Sequence, residues 1–200
     1  MKGVVEKYVN GEGIVYVVGE TASTYQKSLK LNRFARHVLY MGKPYVIMFD
    51  ELRSDLNHDY TWLLHSDVFP CHDDNVFRYL NGTASMQIHS VFPENVTANM
   101  EENVVRAVMT SQEPDNFCQT NLKTLALTTQ AQSKQAYFLN VIVTGTVNDE
   151  PDLTVTRIEN GTTIGVQVQL GDQIDVFLYS PEGNVTYEGK DYDTKELYLL

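Results

Sequence analysis

Apolar and polar residues alternate at a spacing of two through most of this chain, while the three-to-four spacing of an amphipathic helix is almost absent. Val4 to Val9 is followed by the Gly-rich turn Asn10-Gly11-Glu12-Gly13 and then by the β-branched run Ile14-Val15-Tyr16-Val17-Val18. Phe34 to Tyr40 and Tyr45 to Asp50 flank Met41-Gly42-Lys43-Pro44, the pattern of a hairpin with a short Gly/Pro loop. Further strands are expected at Tyr60 to His65, Ser85 to Val91, Val104 to Val108, Leu122 to Thr129, Ala136 to Thr144, Leu153 to Ile158, Thr163 to Leu170 and Ile174 to Tyr179, with short end strands at Val185 to Tyr187 and Leu197 to Leu200. Roughly a dozen strands joined by turn-rich loops predict an all-β fold, an antiparallel two-sheet β-sandwich. The weak helical candidate is Thr21 to Lys30.

Two strands carry further information. Thr163 to Leu170 places Ile164, Val166, Val168 and Leu170 on one side and predicts a wet opposite face. Val46-Ile47-Met48-Phe49 is apolar on both faces, which predicts a strand covered on both sides, the second cover being supplied by another domain. Two hundred residues suit one such domain, and no linker or repeat divides them; acidic loops begin near residue 145, where a subdomain change is expected.

Fifteen Lys and Arg against 26 Asp and Glu give a net charge of -11, with residues 1–100 near neutral (9 basic, 11 acidic) and residues 101–200 strongly acidic (6 basic, 15 acidic). That balance excludes a general nucleic-acid binder and a binder of anionic membranes, both of which need a basic field. No run approaches the roughly 18–20 apolar residues of a membrane span, and Met1 to Lys7 lacks the apolar core of a secretory leader. Cys71 and Cys118 allow one long-range disulfide or two thiols. Sequons stand at Asn81, Asn95, Asn160 and Asn184, at a frequency that chance explains in a chain rich in Asn and Thr.

Two clusters are candidates for chemistry. His65, Asp67, His72 and Asp74, with Cys71 and Asp73 between them, supply the imidazole and carboxylate groups that ligate a divalent metal. They match no family-specific metal spacing, and the competing reading is a solvated loop leaving a strand, with His65 packed near the sheet edge. Lys27, Lys30, Arg33 and Lys43, together with Arg36 and His37, form the one local concentration of positive charge and suit a carboxylate or sulfate on a carbohydrate. The competing reading pairs Arg36 with Asp50 across the hairpin, position 36 lying opposite 49 and diagonal to 50. No nucleophile elbow, zinc-protease motif or phosphate loop is present, and Trp62 lies in an apolar strand that places it in a core.

The run from Arg36 to Leu52, followed by Trp62-Leu63-Leu64-His65, resembles the heparinase II/III-like polysaccharide lyases, in the β-sandwich that follows their helical toroid. Tyr16 to Tyr25, Met86 to Pro93 and Phe138 to Val143 resemble successive segments of the same region, so the likeness extends over most of residues 10–180. It implies a lyase supersandwich-like fold, a parent enzyme that cleaves uronic-acid polysaccharides by β-elimination, a helical toroid as partner, and a secreted or periplasmic setting. In such lyases the catalytic residues come from the toroid and an early His-x-His segment, and the structural zinc ligands lie in that early part. None of these matches this sequence, so the resemblance transfers no catalytic residue, no zinc ligand and no cofactor. The expected role is a non-catalytic sandwich that supports the toroid and lines the substrate cleft. The alternatives are a stand-alone carbohydrate-binding or interaction module and a small enzyme built on the cluster from His65 to Asp74.

Overall fold

The computed structural model describes the backbone of residues 2–11, 13–110 and 113–199, and the side chains outside 104–120 and 197. The strands are β1 (Val4–Gly11), β2 (Ile14–Glu20), β3 (Leu31–Tyr40), β4 (Tyr45–His58), β5 (Thr61–Ser66), β6 (Cys71–Asp73), β7 (Val76–Asn81), β8 (Ala84–Phe92), β9 (Val96–Thr110), β10 (Glu113–Thr129), β11 (Ser133–Thr146), β12 (Leu153–Asn160), β13 (Thr163–Leu170), β14 (Gln173–Tyr179), β15 (Val185–Tyr187), β16 (Lys190–Tyr192) and β17 (Glu196–Leu199). Every pairing is antiparallel. Thr21 to Lys30 is not an α-helix: it contains two short 3-10 turns, Ala22–Thr24 and Lys27–Leu29. The Thr24 hydroxyl donates to the Thr21 carbonyl at 2.8 Å, and Lys30 ends the segment in the left-handed conformation at φ 51, so the run closes as turns.

An eight-stranded sheet in the order β1-β2-β3-β4-β11-β8-β7-β6 forms the centre. A four-stranded sheet, β12-β13-β14-β17, covers one face, which completes the expected sandwich. Tyr16, Leu39, Ile47, Phe49 and Val141 from the large sheet meet Val166, Val168, Phe177 and Tyr179 from the small one. Phe49 is the hub, with its ring 4.7 Å from Tyr179, 5.8 Å from Phe177 and stacked on Tyr137 at 5.9 Å. Chain direction explains the change of sheet near residue 145: β11 ends at Thr146 in the large sheet, and β12 opens the small one at Leu153.

A third sheet, β5-β10-β9, packs on the opposite face of the large sheet. Trp62, Leu125 and Leu127 meet Phe77, Ile88 and Phe138 there, with Met48 and Leu52 of β4 at the margin. This corrects the expectation for β4. Its second apolar face is met by this chain's own third layer, because period-2 alternation sends Ile47 and Phe49 one way and Met48 and Leu52 the other. Trp62 is 3% exposed, as its apolar strand implied. The predicted wet face of β13 is also partly covered. Val176, Leu178 and Val185 form a small outer cluster under the β15–β16 hairpin, and the Thr163 hydroxyl accepts the Thr186 N–H there at 3.0 Å.

The β3–β4 register differs by one from the sequence expectation. The turn centres on Lys43, with Gly42 at φ +66, so Arg36 lies directly opposite Asp50 and His37 opposite Phe49.

Candidate functional site

The four basic residues expected to contact carbohydrate are dispersed. Arg33 is enclosed by carboxylates: Nη1 donates to Glu6 at 2.8 Å and Glu20 at 2.9 Å, and Nε donates to Glu51 at 2.9 Å. Lys43 lies at the opposite end of β3 and donates to both oxygens of Asp175, at 2.6 and 2.5 Å, and the Tyr45 hydroxyl donates to the same carboxylate. Asp175 is 2% exposed, so this contact locks the β3–β4 turn onto β14. Arg36 makes the expected two-pronged pair with Asp50, both contacts at 2.7 Å. Burial pushes the Asp50 carboxyl above its ordinary range, and Arg36 only partly offsets that. Lys27 and Lys30 alone among the four are exposed and lack an ion-pair partner among the described residues. In an acidic chain, basic side chains placed beside strands find carboxylates before they find a ligand.

His65, Asp67, His72 and Asp74 do not converge. His65 is on β5 in the third layer, with Nδ1 2.9 Å from the Thr124 hydroxyl. His72 is on β6 at the edge of the large sheet and stacks on Phe77 at 5.5 Å. Asp67 and Asp74 are exposed, Asp74 in the left-handed conformation of a turn. Among the described residues no three His, Cys, Asp or Glu side chains are grouped to hold a metal ion. Cys71 is exposed at the same edge, and the side chain of Cys118 lies outside the described residues. All four sequon asparagines are exposed.

The residue types of acid–base chemistry occur together inside the sandwich. The Tyr16 hydroxyl and His37 Nδ1 are hydrogen-bonded at 2.6 Å, and the other ring nitrogen, Nε2, is buried without a partner. Glu196 Oε1 lies 3.6 Å from Nδ1, and Lys7 Nζ reaches Glu196 at 2.7 Å while lying over the Tyr16 ring. Burial pushes His37 down to about 4, against the pull of Glu196, and pushes Tyr16 far above its usual value. Burial raises the neighbouring Glu51 carboxyl, but the hydrogen bonds from Arg33 and Tyr179 and the charges of Arg53 and Arg33 together outweigh it, and the net shift is downward. His37 is 2% exposed and Tyr16 0%, so no substrate reaches them. The network instead joins edge strand β1 and the last strand β17 to β2 and β3.

Two surface features are open to a partner. The first is a groove of ≈ 220 Å³ beside the second 3-10 turn, lined by Tyr25, Leu29, Phe34, His58, Asp59 and Tyr60. Tyr25 packs on Phe34 at 5.5 Å and remains 42% exposed. The second is the part of the large sheet that the third layer leaves open. Cross-strand rows Tyr8–Val17–Val38 and Val15–Tyr40–Val46 lie on the face opposite the core residues Tyr16, Val18 and Leu39. Tyr8 is 63% and Tyr40 43% exposed, and the four valines are half-buried. Sequence reasoning reached Lys27, Lys30 and the apolar strands. It missed the groove, whose walls come from residues up to 36 positions apart with no local motif.

Neither a protein-family model nor a curated protein sequence matches the chain. Solved structures do. A heparinase III gene product superposes over 90% of this chain at 12% identity and a TM-score of 0.66. The heparan sulfate lyase HepC from Pedobacter heparinus does so over 90% at 15% identity and 0.66, and a further heparinase III over 89% at 15% and 0.61. The chain spans only 27–28% of the length of those proteins. No helix among the described residues is long and apolar enough to cross a membrane. The fold of this chain is therefore the β-sandwich fold found as one portion of heparinase III and heparan sulfate lyase structures.

Proposed function

We propose that this chain serves as the non-catalytic β-sandwich portion of a heparinase II/III-like polysaccharide lyase, docked through its open sheet face onto a helical toroid and lining the cleft for an acidic, uronic-acid polysaccharide. The likeness of fold over nine-tenths of this chain and about a quarter of the lyases carries the reading. It is supported by the apolar rows through Tyr8, Val17 and Val38 and through Val15, Tyr40 and Val46, a sheet face of the kind proteins cover. The occupant inferred is the helical part of the same enzyme, because the matched lyases have almost three-quarters of their length with no counterpart here. The His and Tyr residues of the sandwich interior are sealed from substrate, which supports a supporting rather than a catalytic role. The matched proteins act on extended polysaccharides, and a secreted or periplasmic location follows from that reading.

The test incubates the 200-residue chain with heparan sulfate and with other uronic-acid polysaccharides and follows the ultraviolet absorbance of unsaturated product. No turnover is expected from the chain alone. Turnover that disappears on changing His65 or His72 would overturn the reading in favour of an independent enzyme. A helical segment encoded with or beside this sequence is expected to bind the chain, and Val17→Lys to abolish that binding.

The groove at Tyr25 favours a second reading, a stand-alone carbohydrate-binding module. Its aromatic walls, Tyr25, Phe34 and Tyr60, match sugar C–H groups, and His58 and Asp59 supply polar contacts for hydroxyls. Glycan-array binding by the isolated chain, lost in Tyr25→Ala, would favour it over the first.

A further inference from the structure

Away from that groove and from the open sheet face, β17 ties the two sheets of the sandwich together. Among the described residues it pairs with β14 alone, through Val176 to Tyr179, whereas β2, β4 and β14 each pair on both sides. Beside this pairing the Ser180 N–H donates to the Lys195 carbonyl at 2.8 Å. From the large sheet, Lys7 Nζ donates to Glu196 at 2.7 Å and to the Tyr198 hydroxyl at 3.3 Å. The Tyr198 ring packs 5.1 Å from Tyr16 and 6.3 Å from Phe177. Strand β1, which carries Lys7, is exposed along its whole length. A four-residue edge strand held by one pairing, ring contacts and an exposed amine is among the least anchored elements of the fold.

The buried ring of His37 lies against that strand. Tyr16 of β2, Phe49 of β4, Tyr179 of β14 and Glu196 of β17 surround it. Nδ1 has the Tyr16 hydroxyl and Glu196 beside it, and Nε2 has no partner among the described residues. An imidazolium donates from both nitrogens, so a second proton leaves a charged N–H buried and unpaired at Nε2. The ionisable groups around the ring are Glu6 and Lys7 of β1, Tyr16 of β2, Arg33 of β3, Glu51 of β4, Tyr179 of β14, and Glu196 and Tyr198 of β17. Glu196, Glu51 and Glu6 favour the proton, Arg33 opposes it, and burial, the largest influence, opposes it too. Water reaches the ring at least cost by lifting β17, because that strand alone among the four around the ring has a single neighbour.

We propose that β17 is an acid-released strap, whose lifting from β14 and Lys7 is coupled to protonation of His37 while the large sheet stays folded. The device is independent of the lyase reading, which concerns another surface. The test is amide hydrogen exchange of the full 200-residue chain, followed by NMR at about pH 7 and about pH 5, each rate divided by that of an unstructured chain at the same pH. The reporters are Ser180 and the amides bonded between β14 and β17; the references are the amides of β4 and β11. A ring that titrates near 6.5 when solvated and at about 4 when enclosed raises the open fraction about twentyfold over that interval. The reporters are expected to lose about twentyfold in protection while remaining less protected than the references at both pH values. His37→Gln is expected to abolish the loss; if that variant does not fold, reporters against references in the native chain decide alone. Equal reporter protection at the two pH values, reporters as protected as the references, or the same loss in a folded His37→Gln would each overturn the proposal.

Discussion

Acid should destabilise this protein through His37, whose buried ring resists protonation. The ring is held near 4 in the fold and titrates near 6.5 when free. Between those values the unfolded chain binds the extra proton, so stability rises with pH. The contribution is complete above about pH 6.5 and is lost as pH falls toward about 4. The gap of about 2.5 pH units, at about 1.36 kcal/mol each, gives about 3 kcal/mol in all and about 2 kcal/mol by about pH 5. His37 is 2% exposed, so solvent does not screen this cost. Physically, a protonated ring would have to remain between Tyr16, Phe49 and Tyr179, with Glu196 3.6 Å away as the nearest counter-charge and Arg33 opposing it. Other groups titrate too. Burial lowers His89 in the same direction, Asp50 is raised and acts with the opposite sign above its ordinary value, and the lowered Glu51 acts only below its ordinary value. The measurement is therefore a difference. Urea unfolding of the native protein and of His37→Gln is followed by the fluorescence of Trp62, the single tryptophan, at about pH 7 and about pH 5. The native protein should lose about 2 kcal/mol more than the variant. Equal losses would refute the reasoning, as would a His37 NMR titration with its midpoint at or above the free value.

Further outcomes test other parts of the structure. Asp175→Asn removes the buried partner of Lys43 and should cost about 3 kcal/mol in urea unfolding. Gly165→Ala should cost roughly 3 kcal/mol or prevent folding, because a β-carbon there would lie 2.5 Å from Leu178 Cδ2 and closer still to the Phe177 carbonyl. Gly19→Ala, with nothing within 4 Å of its added carbon, should stay within about 1 kcal/mol of the native protein. Val17→Lys should shift the unfolding free energy by less than about 1 kcal/mol, because Val17 is half-buried on the open face, while removing affinity for a helical partner.

Strand class, most strand positions and the core positions of Trp62, Ile164, Val166 and Val168 were legible from the chain, because alternation and turn residues are local properties. So was the Arg36–Asp50 pair, although its register was off by one. A hairpin register depends on how a turn closes, and here Gly42 in the left-handed region moves the centre onto Lys43. The third layer was not legible. A doubly apolar β4 announces two covers without saying whose, and β5, β9 and β10 supply the second only after the chain has returned across the large sheet.

The candidate sites divide in the same way. Sequence alone determined which side chains carry charge, and so excluded a basic binding field. Only tertiary structure decided which of those charges remain available. It set Arg33 among Glu6, Glu20 and Glu51, and Lys43 against Asp175, partners 13 to 132 residues away. It also separated His65 from His72 into different sheets. Alternation along a strand dictates which face a side chain joins, but what stands across that face is set by how distant strands stack, and no local pattern encodes that.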